Sequence, residues 1–156
     1  MKSDKTNAVR ALDKAGMSYS LHPYDPDSGD AVHTAKLLSI PPERLFKTLV
    51  TCGPEHRCFV FLVPADRELD LKKAARAAGV KQVSMLPQKE LLPTTGYVHG
   101  GCSPLGMKKH FPTFLSDTAA HFPTVFFNAG RRGLMIEALP DDLCRMIEAS
   151  YADLLP

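Results

Sequence analysis

The sequence predicts an α+β fold: a single domain with a mixed, barrel-like β-sheet and flanking helices. Three observations predict it. Runs of Val, Phe, Leu, Ile and Thr with strand character outnumber runs with helical spacing. Several of these runs are separated by short turn-like segments. Helices fall between some of the strands, but without the steady βαβ alternation of a doubly wound sheet, which is the second choice. The 156 residues suit one domain spanning 1–156. A chain of that length buries about 70% of the surface its unfolded form exposes, so it needs no staples to fold.

The elements follow in order. Residues 7–15 carry Ala8, Val9, Leu12 and Ala15 at helical spacing, and Gly16 ends that helix. Residues 19–22 are short and strand-like, and 23–29, with two prolines and a glycine, read as a loop. Asp30 is placed to cap a helix running to Leu38, and Pro41-Pro42-Glu43 begins a short turn. Strands at 46–52 and 58–63 are joined through Gly53-Pro54 as a hairpin. Asp70 caps a helix over 71–78, with Gly79 past its end. A strand at 80–85, a short helix at 87–92 ended by Pro93, and a strand at 97–102 follow. Strands at 113–116, 125–128 and 134–138 come next, and Asp141 or Asp142 opens a last helix through Ala149.

Composition narrows the function classes. A hydrophobic fraction of 44% and a charged fraction of 23% are ordinary for a soluble globule. No segment is apolar enough to span a bilayer, and Met1-Lys2-Ser3-Asp4-Lys5 does not begin a signal peptide, so the expected compartment is the cytoplasm, with no membrane partner. A formal net charge of +2 does not announce nucleic-acid binding, although Lys72-Lys73-Arg76, Lys108-Lys109-His110 and Arg131-Arg132 form local basic groups. The four cysteines, Cys52, Cys58, Cys102 and Cys144, form no CxxC, and no His pair has zinc spacing. Reduced thiols are therefore expected, with Cys52 and Cys58 as small core residues, and no metal or cofactor is assigned.

GxSxG, HExxH, P-loop and GxGxxG signatures are absent. Three features carry chemistry. Lys47 stands among apolar residues in the strand Leu45-Phe46-Lys47-Thr48-Leu49-Val50. Burying a bare ammonium is costly, so its amine either reaches solvent or meets a phosphate, carboxylate or developing oxyanion. Gly100-Gly101-Cys102-Ser103-Pro104-Leu105-Gly106 and Asn128-Ala129-Gly130-Arg131-Arg132-Gly133 are glycine-rich. Each is either a turn of a compact β structure or a loop whose N–H groups converge on an oxygen. His99 and Cys102 allow a Cys–His dyad, set against a partly buried idle thiol.

Taken together and in order, Phe46-Lys47-Thr48-Leu49, the segment from Gly96-Tyr97 to Leu105-Gly106, and Gly130-Arg131-Arg132-Gly133-Leu134-Met135-Ile136-Glu137 resemble the YbaK/ProX/EbsC family of aminoacyl-tRNA deacylases. His22-Pro23-Tyr24 and Leu69-Asp70-Leu71 add to the likeness, which covers nearly the whole chain. The Lys-Thr pair and the GGxSPLG loop look like the YbaK branch, whereas the alanine-directed ProX branch tends to carry Lys-Asn and a TPF-type loop. The resemblance implies trans-editing, the removal of cysteine from mischarged Cys-tRNA(Pro) in cooperation with prolyl-tRNA synthetase. It implies Lys47 as the catalytic residue. Tyr24, Phe46, Thr48, Gly100, Gly101, Ser103, Asn128, Gly130 and Arg132 are the implied substrate-binding residues. Tyr24 would line the pocket, Gly101 would approach the ester, and Asn128 stands where relatives often have serine. Met135 stands where some relatives carry aspartate, and no catalytic weight falls on it. The resemblance further implies that the substrate's own thiol attacks its ester. Two other readings stay open: a non-catalytic aminoacyl-tRNA or nucleotide-binding module, and a deacylase for another small residue such as alanine.

Overall fold

The computed structural model describes residues 5–156, so the reading of residues 1–4 lies outside the described residues. In chain order the elements are α1 (Asn7–Ala15), β1 (Ser20–Pro23), α2 (Ala31–Leu37), β2 (Leu45–Cys52), β3 (Cys58–Pro64), α3 (Leu71–Ala78), β4 (Ser84–Met85), α4 (Leu91–Thr95), β5 (Thr113–Ser116), β6 (Val125–Asn128), β7 (Leu134–Ala138), α5 (Pro140–Ile147) and β8 (Ser150–Ala152). Eight strands form one mixed sheet in the order β1-β7-β6-β2-β3-β5-β8, with β4 attached to β2. The β2–β3 hairpin lies at its centre, in register from Phe46↔Pro64 to Cys52↔Cys58. β6 joins β2 in parallel, and β5 joins β3 in parallel.

Alternation along the central strands sorts side chains onto two faces. Phe46 and Val50 of β2, with Val60 and Leu62 of β3, enter the main core beside Ala8, Val9 and Leu12 of α1 and Leu143 and Ile147 of α5. Leu21 of β1 and Tyr151 of β8, from the two end strands, pack against that same cluster, so the sheet curls round it in barrel-like fashion. On the opposite face Phe59, Phe61 and Val63 pack with Ala74 and Ala75 of α3. Leu45, Ala65, Phe126 and Met135 pack there with Ala35 of α2. The helix caps follow the residue types. Asp30 accepts from the His33 N–H at 2.9 Å, and Asp70 accepts from Lys72 and Lys73.

Four expectations are corrected. The strand at 80–85 shrinks to Ser84–Met85. The helix expected to stop at Pro93 runs to Thr95, because Pro93 sits in the first turn, where helical N–H groups have no intrahelical acceptor to lose. Residues 97–102 form a loop rather than a strand, held by the buried Tyr97 hydroxyl donating to the Leu105 carbonyl at 2.5 Å. The final helix begins at Pro140 and ends at Ile147, leaving the three-residue strand β8 to pair with β5.

Candidate functional site

β2 loses its second neighbour halfway along its length. Its pairing with β6 stops at Phe46↔Phe127, and its pairing with β4 starts only at Thr51↔Met85. Hydrogen bonding decides which groups face the gap between. The Ala65 N–H donates to the Leu45 carbonyl at 2.8 Å, so odd-numbered positions of β2 bond to β3 and even-numbered positions turn their peptide groups away. The Leu86 N–H on the Val50 carbonyl, at 3.0 Å, has the same phase. The Thr48 N–H and carbonyl therefore point into the gap. Among the described residues Thr48 Oγ1 is buried with no hydrogen-bond partner, a costly state for a hydroxyl.

A cavity of about 390 Å³ fills this gap. It takes residues from both faces of the strand: Phe46 and Thr48 from one, Leu45, Lys47 and Leu49 from the other. One wall is the first turn of α2 with Ala31, Val32 and Thr34, and Leu91 with His99, Gly100 and Cys102 forms another. Tyr24, Asn128, Arg132 and Met135 complete the lining. Among the described residues no hydrogen bond or ion pair holds the Lys47 ammonium. The solvated-surface reading of Lys47 thus gives way to a half-buried amine at a cavity wall, open to an anionic or polarised group.

Asn128, at the end of β6, organises the loops around the cavity. Its Nδ2 donates to the Gly100 carbonyl at 3.1 Å and to the Tyr24 hydroxyl at 3.3 Å, while its Oδ1 accepts from the Gly130 N–H at 2.7 Å. The amide is 8% exposed, so its work is mostly internal: it fixes the Tyr24 ring and both glycine loops relative to one another. Arg132 reaches back to the Pro26 carbonyl at 2.8 Å and to Asp27 at 3.4 Å. Gly101 lies against the neighbouring loop, where a Cβ would stand 2.9 Å from the Arg132 nitrogen. At Gly130, φ is +102° and a Cβ would meet the Tyr97 ring at 2.9 Å.

Of the residues singled out from sequence, Lys47, Tyr24, Phe46, Thr48, Gly100, Asn128 and Arg132 meet at the cavity. Gly101, Ser103 and Gly130 stand behind its wall. Ser103 is fully buried, and its Oγ accepts from the Leu105 N–H at 3.3 Å. The Gly101 N–H, expected near an oxyanion, instead donates to the Val98 carbonyl at 3.0 Å. Cys102 does reach the cavity, but burial pushes its thiol up to about 12, with Thr95 opposing, so it is not a thiolate at neutral pH. His99 is exposed, and among the described residues no hydrogen bond links it to Cys102. The dyad is not assembled. Sequence reasoning missed the α2 wall, Leu49, Ala65 and Leu91. Small apolar residues carry no chemical signature, and only the Asp30 cap hinted that a helix began there.

Comparison with known proteins places this geometry. A family model for the aminoacyl-tRNA editing domain matches residues 25–146. A protein of Enterococcus faecalis, named provisionally as the Cys-tRNA(Pro)/Cys-tRNA(Cys) deacylase EbsC, is 41% identical over 152 residues, 96% of this chain and 93% of that protein. A 94-residue stretch, 60% of this chain, is 30% identical to part of a proline–tRNA ligase of Trichlorobacter lovleyi, of which it spans 16%. A solved structure described provisionally as a trans-editing enzyme for prolyl tRNA synthetase superposes with a TM-score of 0.87 at 26% identity, covering 99% of each chain. A hypothetical protein shares the fold at a TM-score of 0.89 and 20% identity, over 97% of this chain and all of that one.

Proposed function

The chain belongs to the aminoacyl-tRNA editing domain family, and on that premise we propose that it is a trans-editing deacylase that removes cysteine from mischarged Cys-tRNA(Pro), and also from Cys-tRNA(Cys). The observation that carries this reading is the Lys47 ammonium, unpartnered among the described residues, beside the unpaired edge of β2 and inside a cavity large enough for an amino acid and part of a ribose. The naming of the Enterococcus relative supports the substrate.

The cavity offers cations and hydrogen-bond donors, with His99 and Asp30 at its lining, and its buried Cys102 thiol is not a thiolate. An aminoacyl ester is already activated, and a cysteinyl ester brings its own thiol, with an ordinary pKa near 8.5. In this mechanism the substrate sulfur loses its proton to solvent and attacks the ester carbonyl. A C–S bond forms, the C–O bond to the terminal ribose breaks, and that oxygen takes up a proton. The products are free tRNA and a cyclic thioester, which water opens to cysteine. Lys47 and the Thr48 N–H face the developing oxyanion, while Tyr24, fixed by Asn128, closes the pocket over the terminal adenosine.

Selectivity among tRNAs comes from a partner. The likeness to a segment of a proline–tRNA ligase supports action beside prolyl-tRNA synthetase, and the compartment we propose is the cytoplasm. The test is a panel of tRNAs charged with cysteine, alanine, serine or S-methylcysteine, with and without prolyl-tRNA synthetase. Multiple turnovers on cysteinyl substrates are expected, the synthetase narrowing the choice to tRNA(Pro). Stoichiometric retention without release would identify a binding module, and preferred release of alanine would move the substrate class.

A further inference from the structure

The far end of the β2–β3 hairpin holds a second chemically active pair. Cys52 and Cys58 are directly opposite in the antiparallel ladder, and both are half-buried free thiols. Their phase follows from the bonds around them. Leu45 pairs with Ala65 through a backbone hydrogen bond, and the Gly53 N–H donates to the Arg57 carbonyl at 2.7 Å, so odd positions are hydrogen-bonded and Cys52↔Cys58 is a non-hydrogen-bonded pair. At such a pair the two Cα atoms stand about 4.5 Å apart and both side chains leave the same face. That separation falls within the range a disulfide spans. Register is held on both sides of the pair, since Thr51 Oγ1 also donates to the Phe59 carbonyl at 2.9 Å. Cys52 opens onto a surface cleft shared with Gly53, His56 and Ser84, which gives a small oxidant access. Burial and the neighbouring Cys52 both push the Cys58 thiol up, which agrees with close approach of the two sulfurs.

We infer that Cys52 and Cys58 form a reversible cross-strand disulfide under peroxide, a modification site separate from the cavity. The reaction consumes one hydrogen peroxide and two thiols. A peroxide oxygen transfers to one sulfur as a sulfenic acid, releasing water. The second sulfur displaces the hydroxyl, which leaves as water with that thiol's proton. Two electrons pass from the sulfur pair to the peroxide, and a dithiol reductant reverses the change. The new bond ties the end of β2 to β3, five residues along the strand from Lys47. This inference does not depend on the deacylase reading.

Trypsin cleavage after Lys47, Arg57 and Arg67 separates the two cysteines onto peptides 48–57 and 58–67. The full chain is treated with hydrogen peroxide, its remaining thiols are alkylated, and the digest is read by mass spectrometry. The expected product is 48–57 linked to 58–67 and released by dithiothreitol, with Cys102 and Cys144 alkylated. Oxidation should raise Tm by about 5 °C in the unaltered chain and not in Cys58→Ser. Recovery of the two peptides separately, each alkylated or each carried to sulfinic acid, overturns the proposal, and this readout requires no variant to fold.

Discussion

At the residue scale, the proposed function turns on Lys47. A strand lysine is held in place by its backbone, so the β2–β3 ladder positions this amine, which has no side-chain partner among the described residues. Lys47→Ala should lower single-turnover deacylation at least ~100-fold, the size of effect seen when an oxyanion donor is lost, while leaving Tm within a few degrees. Lys47→Arg should restore little of it, because a planar fork does not place its charge where a compact ammonium does. Cys102→Ser should keep near-normal deacylation. Its thiol also has a stability signature: burial raises its folded pKa to about 12 from the ordinary 9.0, so its contribution is complete below pH 9 and is lost as pH climbs towards 12. Urea titrations across that range should show a smaller alkaline loss in Cys102→Ser. Lys47 was legible in the sequence because charge among β-formers demands an explanation. The orphan Thr48 hydroxyl was not, since only the stopping points of β4 and β6 reveal an open strand edge.

At the scale of elements, the two glycine loops and the end of β6 form one clamp. Asn128→Ala would orphan the Gly130 N–H and release both the Tyr24 hydroxyl and the Gly100 carbonyl. We expect a cost of about 2 kcal/mol in urea denaturation, with a raised KM that exceeds the loss in kcat. Gly101→Ala would set a methyl against the 131–132 backbone, which has no flexible side chain to give way. A loss of about 1–3 kcal/mol is expected there. The glycines were visible from sequence, but their purpose was not. The loops meet each other through close backbone approach, so Gly101 serves packing, and its N–H is already committed to Val98. The hairpin, α1 and α3 were legible because period and caps agree. β8 was hidden, since Ser150-Tyr151-Ala152 owes its strand form to pairing with β5.

At the scale of the whole molecule, a polar bolt ties β7 to β1 and to the residues that lead into β2 and β6. Glu137 of β7 accepts from Thr124 at 2.6 Å and from Arg44 at 3.3 Å, and contacts His22 of β1 at 2.8 Å. The Arg44 guanidinium also lies over the Phe126 ring of β6, 5.2 Å from its centroid. The Thr124 hydroxyl, then His22 and Arg44, hold the Glu137 carboxyl below its ordinary range, against an opposing burial effect. A depressed carboxylate adds stability above its unfolded pKa and loses it as pH falls through the folded value. Unfolding experiments should therefore show a loss of stability below about pH 4.5 that Glu137→Gln reduces, at a cost of about 1 kcal/mol near neutrality. That bolt keeps β2 and β6 together up to Phe46↔Phe127, and so defines where the cavity begins. In the proposed mechanism this cavity positions a substrate which supplies its own nucleophile. The most direct test compares single-turnover release of tRNA(Pro) charged with cysteine and with S-methylcysteine. Rapid release of the first, rising with pH towards about 8.5, and no detectable release of the second are expected. Equal rates for the two esters would show that the substrate thiol is not the nucleophile.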